Sequence, residues 1–168
     1  LDKDTSGLMV IAKNDKVHDL LSKQFSQRKI EKVYYALVWG KIEKSGIISG
    51  MIGRDSKNRK LFSMVTSNGR DSLTSFILDS YFPPLSWVKL YPKTGRTHQL
   101  RVHLKSIGHP IFCDVSYGGG SKNIKSFHVK YIKLLNNLIK KINRVALHAY
   151  ELRFTHPGNN KMMFFNVI

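Results

Sequence analysis

LTSFILDSYFPPLSWVKLYP, residues 73–92, consists of two apolar runs separated by Pro83 and Pro84. Both runs are rich in β-branched and aromatic residues, which favours strands, and the paired prolines exclude a continuous helix. The pattern therefore predicts two antiparallel strands joined by a short connection. Strands that follow each other directly, without a helix between them, favour an antiparallel sheet over an alternating parallel one.

Segments on both sides of this hairpin have the same strand character. Residues 32–40 (KVYYALVWG) end on a glycine, and the end of the chain has two apolar runs around a turn at residues 157–160. We also expect a strand at residues 8–13 (LMVIAK) and a solvent-facing loop at residues 53–60 (GRDSKNRK). The prediction is an α+β fold with a mainly antiparallel mixed β-sheet and flanking helices.

Helical periodicity occurs in three places. The first follows Asn14 or Asp15 as an N-cap, the second lies within residues 94–110 and ends before Gly108 and Pro110, and the third lies within residues 121–144. Their apolar positions are Val17, Leu20, Leu21 and Phe25, then Leu100, His103, Leu104 and Ile107, then Ile132, Leu135, Ile139 and Ile142. The third segment holds six Lys and one Arg without an acidic residue, so a basic amphipathic helix is expected.

Length and composition favour one domain over the whole of residues 1–168. A chain of 168 residues with 42% hydrophobic content can bury one sizeable core, and its apolar runs are too short to span a membrane. The single cysteine, Cys113, can form no internal disulfide, which fits a reducing compartment such as the cytoplasm. We expect a monomer, and we expect Leu1 to lie inside a longer folded protein, because the sequence begins at an element without an initiator Met.

The net charge of +17 points to a polyanionic partner. Beyond Asp79 the only acidic residues are Asp114 and Glu151, so the second half of the chain presents a cationic surface. Clustered Lys and Arg bind phosphate backbones by counterion release, which favours nucleic acid first and an anionic membrane second. The alternative is a lysine-rich surface that only interacts with solvent.

The opening heptapeptide LDKDTSG, residues 1–7, has the composition of a turn, but it could also hold a functional carboxylate. A calcium loop starting at Asp2 would need a Glu where Lys13 stands. An aspartyl-phosphate enzyme would need further carboxylates for magnesium, and Asp114 stands alone downstream. No zinc spacing and no glycine-rich phosphate loop is present, so we predict no metal and no nucleotide cofactor.

Four segments together resemble a known family. They are LDKDTSGLMVIAK (1–13), KVYYALVWG (32–40), TGRTHQLRVHLKSIGHPIFCDVSYGG (94–119) and RVALHAYELRFTHP (144–157). In this order they resemble the RluA/RluD family of RNA pseudouridine synthases, which convert uridine in RNA into its C-glycoside isomer. The resemblance implies the catalytic fold of that family and an RNA substrate. Similarity to the RluD branch implies large-subunit ribosomal RNA, with tRNA as the alternative, rather than a membrane partner.

The resemblance also implies which residues act. The catalytic aspartate of the family corresponds to Asp2, the active-site tyrosine to Tyr34, the arginine that pairs with the aspartate to Arg101, and the apolar residue beneath the target base to Leu100. The family has an Arg immediately before the LD pair, and many members carry an N-terminal S4-type RNA-binding module; both would precede Leu1. This sequence departs from the family at Cys113, where glycine is usual, and at Ser72, where alanine is common.

The chemistry explains why these residue types are needed. Opening the glycosidic bond of uridine builds positive charge on the sugar, and one carboxylate can attack the sugar or remove a proton from it. A guanidinium beside that carboxylate keeps it ionised and oriented. Without the resemblance, Arg101 could equally contact an RNA phosphate, and Tyr34 and Leu100 could be ordinary core residues.

Basic side chains on either side of the reacting base would bind the RNA phosphates. The candidates are Arg54, Lys57 and Arg59 in the predicted loop and Arg96, His98 and Lys105 around the second helix. The lysines of residues 122–144 could contact RNA or form a solvated helix face. The sequence thus predicts an RNA pseudouridine synthase catalytic domain, and the rival prediction is an RNA-binding domain without activity.

Overall fold

The computed structural model describes residues 1–127 and 129–167. In this part of the chain, eight strands form one sheet in the order β1-β7-β2-β6-β5-β3-β4, with β8 also paired to β7. The strands are β1 Ser6–Gly7, β2 Glu31–Trp39, β3 Ser45–Arg54, β4 Phe62–Val65, β5 Arg70–Phe82, β6 Leu85–Pro92, β7 Leu147–Thr155 and β8 Met162–Asn166. The α-helices are α1 Asp15–Ser26, α2 Gln99–Ser106 and α3 Ile132–Ile142.

The predicted α+β architecture is confirmed, and so is the hairpin at residues 73–92. Strands β5 and β6 pair antiparallel, with Phe82 opposite Leu85 across Pro83 and Pro84. Only the short β1–β7 pair is parallel among the described strands, so the sheet is mixed but mainly antiparallel. Structures of this kind have helices packed on a sheet around a common core.

The main core lies between the sheet and helices α2 and α3. It contains Ala36 and Val38 of β2, Leu100 and Leu104 of α2, and Leu135 of α3. Strand β2 lies between β6 and β7, which explains its nearly continuous apolar sequence. The position of β2 brings Tyr34 close to the start of the chain, because β1 pairs with the neighbouring β7.

The expected strand at residues 8–13 is wrong. Pairing with β7 ends after Gly7, and from Glu151 onwards the same edge of β7 is occupied by β8. With no free edge left, Leu8 and Val10 pack instead against a second, smaller core that includes Leu21 of α1. Within LMVIAK, Leu8, Val10 and Ala12 pack against this core, whereas Met9 and Ile11 are exposed, so the alternation reflects one buried face rather than strand pairing.

The helix expected within residues 121–144 is shorter in the structure. Helix α3 occupies Ile132–Ile142, and 3-10 turns at Ser121–Ser126 and Val129–Tyr131 precede it. His128 of the expected segment lies outside the described residues. Leu135 is fully buried, as the apolar spacing predicts, while Leu134 is half exposed. Within the described chain, none of the helices is both long and apolar enough to cross a lipid bilayer.

Candidate active site

A cleft of about 310 Å³ opens where the first residues of the chain meet β2 and the connection between β6 and α2. Asp2, Tyr34 and Leu100 line this cleft, together with Arg96 and His98. Three segments that are far apart in sequence therefore meet at one site.

The heptapeptide at the start of the chain is both a turn and part of this site. The Thr5 amide donates a hydrogen bond to the Asp2 carbonyl at 3.0 Å, which closes the turn. The Asp2 side chain is 26% exposed and lies 3.4 Å from Nη1 of Arg101. Asp4 is exposed and forms no part of the cleft lining. The local turn directs one of the two carboxylates into the cleft and leaves the other outside it.

Arg101 is held mainly by a carboxylate that the sequence reasoning had not assigned to the site. Its Nε lies 2.7 Å from Oδ2 of Asp114 and its Nη2 lies 2.9 Å from Oδ1, which is a forked ion pair. Burial lowers the pKa of Arg101, but the hydrogen bonds and charge of Asp114, with a further contribution from Asp2, raise it above its ordinary value. Arg101 is thus a fixed cation whose remaining Nη1 faces Asp2.

The charge pattern singles out Asp114, but its burial and its partner become evident only in the fold. It is one of two acidic residues beyond Asp79, and its side chain is 1% exposed. A single buried carboxylate in a strongly cationic segment requires a buried cation as its partner. Its carboxylate also accepts the amide of Tyr117 at 3.3 Å and so caps the 3-10 turn at Val115–Tyr117.

Helix α2 places Arg101 and Leu100 through an unusual N-terminus. The N-cap residue His98 has a left-handed backbone with φ of 55° and makes no side-chain cap. Gln99 compensates, because its Oε1 accepts hydrogen bonds from the Arg96 amide at 3.0 Å and from the Thr94 hydroxyl at 2.7 Å. The side chain of Gln99 thereby orients the loop from which Arg96 and His98 reach the cleft.

A buried polar network continues from Gln99 to His103. The Gln99 amide donates to Thr74, and the Thr74 hydroxyl faces Nδ1 of His103 at 2.9 Å. On the other ring edge, Nε2 faces the Ser72 hydroxyl at 2.8 Å, and that hydroxyl donates to the Gly50 carbonyl at 2.6 Å. Since the Ser72 proton is committed to Gly50, Nε2 of His103 must carry the proton and Nδ1 must accept one. Burial lowers the pKa of His103 to about 4, which keeps this network neutral.

Tyr34 and Leu100 both line the cleft. Tyr34 is partly buried in β2 next to a register shift against β7, and its ring borders the cleft. Burial raises the pKa of Tyr34, and the charge of Asp2 raises it further, so the phenol is protonated at neutral pH. Leu100 is 7% exposed and belongs to the main core while also lining the cleft. Leu100 is thus a core residue and a cleft residue at the same time.

The six expected RNA contacts fall into two groups. Arg96 and His98 line the cleft itself. Lys105 and the three loop residues Arg54, Lys57 and Arg59 are exposed and lie outside the described lining of the cleft. Lys32, which the sequence reasoning did not single out, also lines the cleft, and burial lowers the pKa of its amine. Its position two residues before Tyr34 on the same strand face was the available signal.

No group of three or more His, Cys, Asp or Glu side chains is placed to hold a metal ion within residues 1–127 and 129–167. The Asp2 and Asp114 carboxylates both face the Arg101 guanidinium. The site therefore offers one carboxylate at the cleft, one fixed cation beside that carboxylate, and a protonated phenol and a leucine side chain in the cleft lining.

Comparison with known proteins gives consistent matches. The sequence profile of a family described as RNA pseudouridylate synthase matches residues 1–106. A protein of Chlorobaculum parvum, named an uncharacterized RNA pseudouridine synthase, is 41% identical over 96% of this chain and 50% of its own length. A ribosomal large subunit pseudouridine synthase D of Blochmanniella floridana is 38% identical over 99% of this chain and 51% of its own length.

The fold also matches solved structures. Human RNA pseudouridylate synthase domain containing 1 superposes with a TM-score of 0.76 at 31% identity, covering 100% of this chain and 66% of that one. The chain spans about half the length of the curated relatives it matches.

Proposed function

The chain belongs to the RNA pseudouridylate synthase family, and on this premise we propose that it isomerises uridine to pseudouridine in large-subunit ribosomal RNA. The observation that carries the proposal is the 3.4 Å contact between the Asp2 carboxylate and Arg101 in a cleft that Tyr34 also lines. Relatives named ribosomal large subunit pseudouridine synthase D, 37% and 38% identical to this chain, support the choice of RNA. We further propose that the protein works in the cytoplasm as a monomer.

Asp2 is the proposed reacting group. The bond between N1 of uracil and C1′ of ribose breaks, and a new bond forms between C5 and C1′, while the C5 proton leaves and N1 gains one. Asp2 assists bond breaking either by attacking the sugar or by removing a proton from it. Arg101 fixes the direction of the carboxylate, because Asp114 prevents the guanidinium from turning away.

Tyr34 and Leu100 are proposed to hold the base during this exchange. A flat phenol ring can stack on the uracil, and a leucine floor allows the base to rotate without a competing hydrogen bond. Once C5 has bonded to the sugar, its proton must be removed, and the Tyr34 oxygen is the proposed participant. The negative charge of Asp2 raises the pKa of Tyr34, so a step that neutralises Asp2 lowers it again and lets the phenol give its proton to water, after which the phenolate oxygen can accept the C5 proton.

The target uridine must leave its stack to enter the cleft. Unstacking costs a few kcal/mol and is easiest in loops and unpaired regions, which makes structured RNA loops the expected substrate. Arg96 and His98 would contact the strand at the cleft, and Arg54, Lys57, Arg59 and Lys105 would bind phosphates farther out. Binding of this kind falls steeply with salt concentration.

Release of tritium from RNA that carries the label at uracil C5 tests the proposal, with large-subunit ribosomal RNA and tRNA as parallel substrates. We expect release from ribosomal RNA and its loss in Asp2→Asn, which keeps the shape of the side chain but removes its charge. RNA affinity should stay within twofold in this variant, because phosphate contacts dominate binding. If the protein binds RNA but releases tritium from neither substrate, the inactive RNA-binding domain is the better interpretation. Release from tRNA alone would overturn the ribosomal assignment.

A further inference from the structure

Tyr117 contacts two residues of the site, Arg101 and His98, and the start of β4, although it does not line the cleft. Its ring lies 4.7 Å from the Arg101 guanidinium, in cation–π contact. Its hydroxyl accepts the amide of Phe62, the first residue of β4, at 3.0 Å and lies 2.7 Å from Nδ1 of His98. The side chain is 1% exposed, so these contacts are made without competition from water.

The hydroxyl contact determines the protonation pattern of His98. The Tyr117 oxygen accepts a hydrogen bond from the Phe62 amide, and among the described residues Nδ1 of His98 is the acceptor within reach of the hydroxyl proton, so the hydroxyl donates to Nδ1. Burial lowers the pKa of His98, as does the charge of Arg101, whereas Asp2 opposes the shift, and the imidazole is neutral at pH 7. The remaining proton of His98 is therefore on Nε2.

His98 also has a strained backbone. A φ of 55° is uncommon for a residue with a side chain, and such strain persists where the surroundings hold the residue in place. The Tyr117 hydroxyl contacts the imidazole, and Phe62 packs edge-on against it with ring centroids 5.7 Å apart. These two contacts hold His98 in this conformation. Nε2 has no hydrogen-bond partner in the described part of the chain, while the residue borders the cleft beside Asp2.

We propose that Tyr117 is a positioning residue for the isomerisation: its ring fixes the Arg101 guanidinium, and its hydroxyl presents Nε2–H of His98 to the target nucleotide in the cleft. This inference rests on the proposed function. It assigns His98 a directed donor role at the reacting nucleotide, in contrast to the phosphate contacts of the outer cations, and it makes the donor depend on a buried residue that never touches RNA.

A double-mutant cycle tests the inference with RNA labelled at uracil C5, using the protein in its longest natural form. Tyr117→Phe removes only the hydroxyl, and His98→Asn removes the imidazole while tolerating the left-handed backbone. We expect each variant to lower the single-turnover rate about tenfold, equal to ~1.4 kcal/mol of barrier. RNA Kd should stay within twofold, because outer phosphate contacts are intact.

The double variant is the decisive measurement. Because the hydroxyl acts through His98, the double variant should be no slower than His98→Asn alone. Multiplied losses, or a Tyr117→Phe variant as fast as the parent, would overturn the inference. Tyr131→Phe is the matched control, since this tyrosine lies outside the cleft, in contact with Lys130, and its variant should keep the parental rate.

A measurement that needs no activity separates this inference from the proposed function. In ¹⁵N NMR of the parent, His98 should show a protonated Nε2 and an unprotonated Nδ1, and Tyr117→Phe should change the Nδ1 signal. If the parent releases no tritium, the proposed function is refuted. The NMR spectrum then still tests whether Tyr117 positions His98. A proton on Nδ1 in the parent would overturn this positioning.

Discussion

Arg101 and His103 lie two residues apart on helix α2, yet Arg101 lies in a charged environment and His103 in a neutral one. Arg101 keeps a full charge and is surrounded by two carboxylates, at 2.7 Å and 3.4 Å. His103 is fully buried, has its pKa lowered to about 4 and is surrounded by the hydroxyls of Ser72 and Thr74. One helix therefore carries a charged cluster toward the cleft and a neutral network toward the sheet.

The difference shows how the fold separates reactivity from support. A buried charge is costly unless a partner cancels it, so Arg101 requires Asp114 for stability even before Asp2 is considered. The network around His103 contains no charge, so it can hold α2 against β5 without disturbing the electrostatics of the cleft. Gln99 joins the two regions, because it binds both the cleft loop and Thr74.

The largest expected effect comes from removing the cation of the charged cluster. Arg101→Met leaves Asp114 buried and unpaired, so the free energy of unfolding should fall by ~3–5 kcal/mol. Replacing both partners, in Arg101→Met with Asp114→Leu, should restore most of that stability, because an apolar pair needs no compensation. Urea unfolding measures both variants, and tritium release should be lost in both. Equal instability of the single and double variants would contradict the importance of the Arg101–Asp114 pair.

The neutral network should fail in acid. The pKa of His103 is about 4 in the folded protein and about 6.5 when unfolded, so the unfolded state binds the extra proton first. Stability from this group is complete above pH 6.5 and decreases as the pH falls toward 4. The free energy of unfolding should drop by ~2–3 kcal/mol between pH 7 and pH 4.5 on this account.

Urea unfolding at pH 7, 5.5 and 4.5 measures this slope. His103→Gln, which has no titrating ring, should remove that part of the slope while losing some stability at pH 7. An unchanged slope in this variant would assign the acid sensitivity to other groups.

The sequence predicted those parts of this arrangement that depend on local pattern. The two prolines at residues 83 and 84 marked the hairpin, and apolar spacing located α1, α2 and the apolar face of α3. Resemblance placed Asp2 and Arg101 at one site, and the structure has them 3.4 Å apart. These features are predictable because each depends on residues near one another in sequence or on a long shared motif.

What the sequence did not predict depends on competition between distant segments. The strand expected at residues 8–13 fails because β8, more than a hundred residues later, occupies the edge of β7. Asp114 and Tyr117 were missed because their partners become evident only when the loop after α2 folds back on Arg101. Apolar spacing alone could not predict where the side chains of α2 point, because the first six residues of this helix are all buried.

A smaller loss is expected from Ser72→Ala, which tests how much the neutral network depends on this hydroxyl. The change leaves Nε2–H of His103 without its acceptor in a fully buried position, and it removes the bond to the Gly50 carbonyl. The free energy of unfolding should fall by ~1–3 kcal/mol, the usual cost of an unsatisfied buried group. Ser75→Ala, on the same strand at a half-exposed position, should stay within ~0.5 kcal/mol of the parent. A network that supports without reacting should leave the single-turnover rate of both variants unchanged.

The smallest effect concerns the backbone that aims Asp114 at Arg101. Cys113 has a φ of 66°, a conformation that glycine adopts freely and that costs other residues ~1–2 kcal/mol. Cys113→Ala removes the sulfur and keeps the strain, whereas Cys113→Gly also relieves it. The glycine variant should therefore be more stable than the alanine variant by ~1 kcal/mol in urea unfolding. Neither variant carries a thiol, so thiolate chemistry does not enter the comparison; in the parent, burial raises the pKa of the Cys113 thiol to about 11. A more stable alanine variant would mean that packing against the core, rather than backbone conformation, determines the shape of the turn before Asp114. Side-chain contacts would then hold the charged cluster in place, as they hold the neutral network.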